Sequence, residues 1–232
     1  MPKHLKPLYS LNDCLSVISE CTKKEWCKVL LKLVVALYGN DYVHGLPHVI
    51  RVSCLSIKLA RMLEAEGLNI DHDIIIASAL LHDIGRDKGQ SWHHHAVLSS
   101  IIASQLLKML GFPKDKIEKV TEAIKEHSYS IRGEPSSLES CILSDADKID
   151  AIGVIGVYRV IAYGERVGRG IEETIRHYYE KLKTMDKHLC LEVSRRLAEE
   201  HMLMLRSFFD SLNEHYSIEK AILEKMKKIL ER

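Results

Sequence analysis

The residues best able to do chemistry lie in three separated apolar segments. They are His48 in HGLPHVIRV, His82 and Asp83 in LLHDIG, and Asp147 in SDADKIDAIG. An imidazole or carboxylate inside an apolar helix is costly unless it is paired or metal-bound. In LLHDIG the two groups are adjacent, and neighbouring helix positions point about 100° apart. Both reach one ion only where the helix ends or loosens, and Gly85 supplies that freedom. One more imidazole and one more carboxylate from other helices complete four protein ligands. Two imidazoles and two carboxylates leave room for waters on an octahedral ion. Mn²⁺, Fe²⁺, Co²⁺, Ni²⁺ and Mg²⁺ all suit such a set, and Zn²⁺ is compatible with it. The work of such an ion is to polarise a phosphoryl oxygen and to lower the pKa of a bound water. Taken alone, a His-Asp pair reads better as a satisfied pair in a core. It is the three segments together that point to a metal.

Basic residues flank this set. Arg51 follows His48 by three positions and lies near the same helix face, where it binds phosphate or pairs with Asp145 or Asp150. Lys148 adjoins Asp147 and is a candidate phosphate contact. Arg86 and Asp87 stand where the helix carrying the doublet ends.

The elements that position these groups read as helices almost throughout. Period-two alternation is absent and prolines number five. Ser10 caps a first helix through Cys21, and Thr22 a second through Tyr38. Pro47 fits the first turn of a third helix, on which Val52, Leu55, Leu59 and Met62 recur at helical spacing. HDIIIASALLHDIG forms a buried helix ending near Gly85. Ser91 starts the next, to Gly111, and Pro113 opens another through about His127. SYSIRGEPSS is a loop. The segment from Leu138 to Gly164 is apolar and helical, followed by EETIRHYYEKL and a run from Leu191 to His215. Ser217 caps a short last helix, which packs or forms a dimer contact. The expected architecture is an all-α, single-domain helical bundle, with an N-terminal helix over 1–24, the main domain over 25–215 and an amphipathic helix over 216–232.

Composition narrows the function classes. The 232 residues are 46% hydrophobic and 28% charged, enough for a core, and the net charge is +1. Nothing global attracts nucleic acid, and no basic stripe is present. No run of about 20 apolar residues predicts a membrane span, and the N-terminus lacks the apolar core of a signal peptide. Six cysteines lie mostly in apolar helical patterns without a Cys-x-x-Cys pair. They read as buried, reduced thiols of a cytoplasmic protein.

HVIRV, LLHDIGR and DADKIDAIG, in that order, resemble the HD-domain metal-dependent phosphohydrolase superfamily, in particular its small stand-alone bacterial and archaeal members. The similarity extends through the C-terminal helices, over roughly residues 25 to 215. It implies an HD-type helical fold and a metal held by His48, His82, Asp83 and Asp147, with Asp145 as the rival for the last place. It also implies hydrolysis of phosphoester or phosphoanhydride bonds, often in nucleotides. HHHAVLSS is similar to the family's His-x-x-x-small segment, which makes His95 the candidate to protonate a leaving oxygen and His94 its alternative. Asp87 is a candidate water-orienting carboxylate. His127 sits where such proteins place a pocket histidine. One metal ion is expected, because the acidic ligands of a second are not evident. Gly45 stands where related sequences carry an acidic residue, and His44 is at most on the pocket rim. His4, His72, His177, His188, His201 and His215 carry no partner pattern and read as surface or packing residues. Other readings kept open are cleavage of a cyclic nucleotide phosphodiester and a non-catalytic metal or nucleotide sensor.

Overall fold

Local signals start most of the helices. The computed structural model describes residues 5–86, 95–128 and 135–231. Helix α1 (Leu11–Thr22) opens on a reciprocal cap: the Ser10 hydroxyl accepts from the Asp13 N–H, and the Asp13 carboxylate accepts from the Ser10 N–H. Helix α2 (Glu25–Leu37) begins after Lys24 rather than at Thr22. Thr22 still belongs to α1, and its hydroxyl donates back to the Ser19 carbonyl. Helix α3 (Leu46–Ala65) carries Pro47 in its first turn. Asp71 caps α4 (His72–Leu81) by accepting from the Asp73 N–H.

Helix α4 decides the architecture. Every residue from Ile74 to Leu81 is buried. A helix that is apolar all round must lie inside the protein rather than on its surface. Helices α2, α3, α5 (His95–Met109), α6 (Lys114–Glu126) and α7 (Leu138–Asp150) pack around it. Its C-terminal end, where His82 and Asp83 follow, is therefore held in the middle of the bundle. The chain continues through α8 (Gly153–Arg166), α9 (Ile171–His177), a π-helical turn (Tyr178–Leu182), a 3₁₀ turn (Met185–His188) and α10 (Glu192–Leu230). The fold is all-α, and no strand occurs among the described residues.

The apolar run from Leu138 to Gly164 forms two helices, and two further expectations are corrected below. Gly153 adopts φ +67°, a left-handed conformation that breaks the run, and a Cβ there would meet the His201 ring at 2.5 Å. Ser217 caps nothing: it lies within the continuous α10, and its hydroxyl donates to the Asn213 carbonyl. The cysteines are not free thiols. Cys14 is bonded to Cys54, Cys21 to Cys27 and Cys141 to Cys190. Two of these bonds join residues 40 and 49 positions apart, a proximity that only the packing of helices creates. The compartment argument from reduced thiols loses its support. Among the described residues no helix is long and apolar enough to cross a membrane.

Candidate metal centre and its cavity

Three helices and one turn bring the chemical residues together. His48 projects from the first turn of α3, His82 and Asp83 from the end of α4, and Asp147 from α7. The His48 Nε2 lies 3.2 Å from the His82 Nε2, 3.3 Å from the Asp147 Oδ1 and 3.7 Å from the Asp83 Oδ2. His48, His82 and Asp83 side chains are fully buried, whereas Asp147 is 21% exposed. The cluster thus has one open side.

The proton positions on the imidazoles are dictated from behind. The His82 Nδ1 is 2.8 Å from the Ala79 carbonyl and the His127 Nδ1 is 2.6 Å from the Ile124 carbonyl. A carbonyl only accepts, so each Nδ1 carries the proton and each Nε2 presents a lone pair. The His48 Nδ1 likewise faces the Asp150 carboxylate at 2.8 Å. Its Nε2 therefore turns a lone pair toward the His82 Nε2 and the Asp147 oxygen. One proton can relieve only one of these contacts at a time, whereas a divalent cation relieves them all. The Asp83 Oδ1 and the His127 Nε2 are buried without hydrogen-bond partners, and their 3.7 Å separation is too long for a hydrogen bond. The donor set fits a divalent cation. His48, His82 and Asp147 form one group of converging ligand atoms, and His82, Asp83 and His127 form another.

Asp150 anchors the set from the rear. Its carboxylate accepts from the His48 Nδ1, from the Arg51 Nε at 2.7 Å and Nη2 at 3.0 Å, and from the Arg159 Nη1 at 2.8 Å. Arg51 also reaches the Tyr42 carbonyl and lies over the Tyr42 ring. Asp145 faces the other way, accepting the N–H groups of Cys190 and Leu191 at 2.8 Å each. Of the aspartates at 145, 147 and 150, only Asp147 turns its carboxylate both to His48 and to the open side.

Two glycines explain close approaches. Gly85 has no left-handed φ among the backbone angles. Its role is space, because a Cβ would meet the Ser99 nitrogen at 2.7 Å, and its N–H donates to the Ser99 hydroxyl. That lets α5 pass close enough to bring His95 within 3.7 Å of Asp83. Gly45 packs against the 39–41 backbone, where a Cβ would meet the Gly39 carbonyl oxygen at 2.2 Å. No side chain fits there without moving that backbone.

Charge is distributed to keep the carboxylates ionised. Burial pushes Asp83 up, but the Arg86 guanidinium, bonded at 2.6 Å, and the His82 and His127 rings hold it well below the carboxylate range. Burial also raises Asp147, and the His48, His127 and His82 rings together more than offset it. Burial holds His82 at about 4 and His44 at about 3, and it holds His177 at about 4. His201 is lowered too, while His127 is raised because burial is outweighed by Asp83 and Asp147. A histidine depressed on folding contributes stability that is complete above its unfolded pKa of about 6.5 and is lost as pH falls toward the folded value; a raised one works in the opposite sense. Four depressed groups oppose one raised group. Metal-free protein is expected to lose stability between pH 6.5 and about 4, above the range where the clustered carboxylates titrate. Urea unfolding at pH 7, 5.5 and 4.5 checks this, and equal midpoints at all three would contradict it.

On its open side the cluster faces a cavity of about 430 Å³, the size of a small-molecule site. Asp147, His95, Arg86 and Lys148 line its floor. Lys148 donates to the Ser144 hydroxyl, and burial lowers its pKa. The His95 Nε2 lies 3.4 Å from the Arg86 Nη2. Arg51 and His127, both expected to face substrate, do not line the cavity. Arg51 is spent on Asp150, and His127 is fully buried beside His82 and Asp83. His44 is on the cavity wall. His4, Asp87, His93 and His94 lie outside the described residues. Sequence reasoning missed Arg159, Tyr163, Arg169, His177 and Lys181, which also line the cavity. No motif marks them, although His177 and Lys181 are one turn apart.

Comparisons with known proteins bear on the family and the fold. The HD domain family model matches residues 45–152. The chain is 30% identical over 172 residues to the uncharacterized protein YpgQ of Bacillus subtilis (strain 168), covering 70% of this chain and 80% of that one. It is 30% identical over 126 residues to the dihydroneopterin 2′,3′-cyclic phosphate phosphodiesterase of Methanocaldococcus jannaschii, 49% of either chain. The crystal structure of Bacillus subtilis YpgQ in complex with ADP has a similar fold, with a TM-score of 0.66 at 21% identity over 82% of this chain and 96% of that one.

Proposed function

The chain belongs to the HD domain family, and from that premise we propose that it is a metal-dependent phosphohydrolase acting on a small phosphorylated substrate, best read as a nucleotide. The observation that carries this reading is the convergence of the His48 and His82 Nε2 lone pairs with the Asp83 and Asp147 carboxylates on one side of a cationic cavity. These four residues would hold one divalent ion, with Mn²⁺ the first choice among Mn, Fe, Co, Ni and Mg. When bound, such an ion supplies Lewis acidity and lowers the pKa of water beside it.

The chain's own residues supply the rest. Asp150 fixes the His48 tautomer, and the Ala79 carbonyl fixes that of His82. Arg86 and Lys148 bind the phosphate and offset charge that grows on it during cleavage. His95 faces Arg86, a pure donor, through its Nε2. Protonated from solvent on the open side, it would give that proton to the leaving oxygen, a task suited to an imidazole. Asp87 remains proposed as a water-orienting carboxylate.

The nucleotide reading draws support from the ADP bound by YpgQ. A second reading, cleavage of a cyclic phosphodiester, is favoured by the activity named for the Methanocaldococcus jannaschii relative. One experiment separates them. Chelator-treated protein is assayed against nucleoside mono-, di- and triphosphates and 2′,3′-cyclic monophosphates, without metal and with each of Mn²⁺, Fe²⁺, Co²⁺, Ni²⁺ and Mg²⁺. Metal-dependent release of phosphate or diphosphate supports the first reading, and ring opening alone supports the second. No metal-dependent turnover of any member, with any of the five ions, would remove both.

A further inference from the structure

The cavity wall built after the family-matched segment has no role in the chemistry described so far. Arg169, His177 and Lys181 all line the cavity and are half-buried. They come from the α8–α9 connection, the end of α9 and the π-helical turn. Of the cavity's cations, Arg86 bonds Asp83 through its Nε at 2.6 Å and Arg159 bonds Asp150 through its Nη1 at 2.8 Å. Arg169 has no ion-pair partner among the described residues and lies beside the Tyr163 ring, 5.6 Å from its centroid. Lys181 feels Asp147, the one carboxylate that lines the cavity among the described residues, and is also repelled by Arg86 and Arg169. Desolvating clustered like charges is costly, and a bound polyanion is what offsets that cost.

We propose that Arg169, His177 and Lys181 form a second anion subsite, which holds a phosphate group other than the one being cleaved. The inference rests on the phosphohydrolase reading for the cleaved phosphate, held at the floor by Arg86 and Lys148. The two basic sets stand on different elements: Lys148 on α7 and Arg86 after the doublet, against Arg169, His177 and Lys181 on the segment from the α8–α9 connection to the π-helical turn. The cavity volume accommodates a chain of two phosphates. The substrate class is therefore one with at least two linked phosphates. Arg169 supplies a planar fork suited to phosphate oxygens, and Lys181 a compact point charge.

The test reads binding rather than turnover. Calorimetry at fixed Mg²⁺ compares orthophosphate, methylenediphosphonate and malonate on the wild type and on Arg169→Gln, Lys181→Gln and Lys181→Arg. Methylenediphosphonate has a P–C–P link that resists hydrolysis. The wild type is expected to prefer it over orthophosphate, and over malonate, by about tenfold or more, the scale of one charge-assisted hydrogen bond. Each Gln variant should lose most of that preference, and Lys181→Arg should retain it. A wild type without the preference, or Gln variants that keep it, would overturn the subsite. Equal affinity for malonate would replace phosphate recognition with general dianion binding and overturn the phosphate assignment. Should Lys181→Gln unfold, Arg169→Gln decides the matter alone. Binding intact without turnover would sink the hydrolase reading only, and turnover with an unchanged binding ratio would sink the subsite only.

Discussion

Asp83→Asn is expected to lower metal-dependent turnover at least about a thousandfold, which corresponds to roughly 4 kcal/mol of lost transition-state stabilisation. The substitution keeps the volume and one carbonyl oxygen but removes the charge. Asp83 is fully buried, its Oδ1 has no hydrogen-bond partner, and its Oδ2 is 3.7 Å from His48 and 3.9 Å from His82. Its charge is maintained against burial by Arg86, His82 and His127. A site that spends three neighbours on keeping one carboxylate ionised requires that charge. Steady-state kinetics on the best substrate, with circular dichroism to confirm the helices, reads the effect. Turnover within tenfold of the wild type would show that Asp83 is an ordinary buried partner of Arg86.

Asp150→Ala is expected to act on both stability and metal affinity. It strands the buried Arg51 and the half-buried Arg159 at once and releases the proton on the His48 Nδ1 from its acceptor. Breaking a buried ion pair by removing one partner costs about 3–5 kcal/mol. Losing the acceptor behind a metal-ligating histidine weakens metal binding about 10–100-fold. Chemical unfolding of the metal-free protein measures the first effect, and Mn²⁺ titration the second. A merely structural role would move the unfolding midpoint and leave the affinity of the folded fraction alone. Asp150→Glu, which keeps an acceptor, should recover part of the affinity.

Much of this site was legible in the residues themselves. His48, His82, Asp83 and Asp147 stand out because charged or imidazole groups in apolar helices need a reason to be there. The helix-end geometry of the doublet also follows from helical spacing, since His82 and Asp83 cluster where α4 stops. The choice among Asp145, Asp147 and Asp150 did not follow from spacing. It depends on which way α7 is rotated, and that is set by partners on distant elements: Cys190 and Leu191 for Asp145, and Arg51 and Arg159 for Asp150. Arg51 illustrates the same limit. Its position one turn from His48 was legible, but its consumption by Asp150 depends on α3 packing against α7. The three cysteine pairs and the cationic wall at Arg169, His177 and Lys181 are likewise products of helix packing. The break between α7 and α8 could have been anticipated from Gly153, since a glycine inside an apolar run is a natural place for a left-handed turn. The long α10 overrode the local signal of Ser217, whose hydroxyl found a carbonyl four residues back instead of a helix start.

A single divalent ion is proposed to sit among His48, His82, Asp83 and Asp147. The most direct measurement is anomalous diffraction from a crystal equilibrated with Mn²⁺. The account predicts one strong peak within coordination distance of the Nε2 atoms of His48 and His82 and of a carboxylate oxygen from each of Asp83 and Asp147. An ion bound elsewhere, or one that leaves His48 or Asp147 uncoordinated, would contradict it.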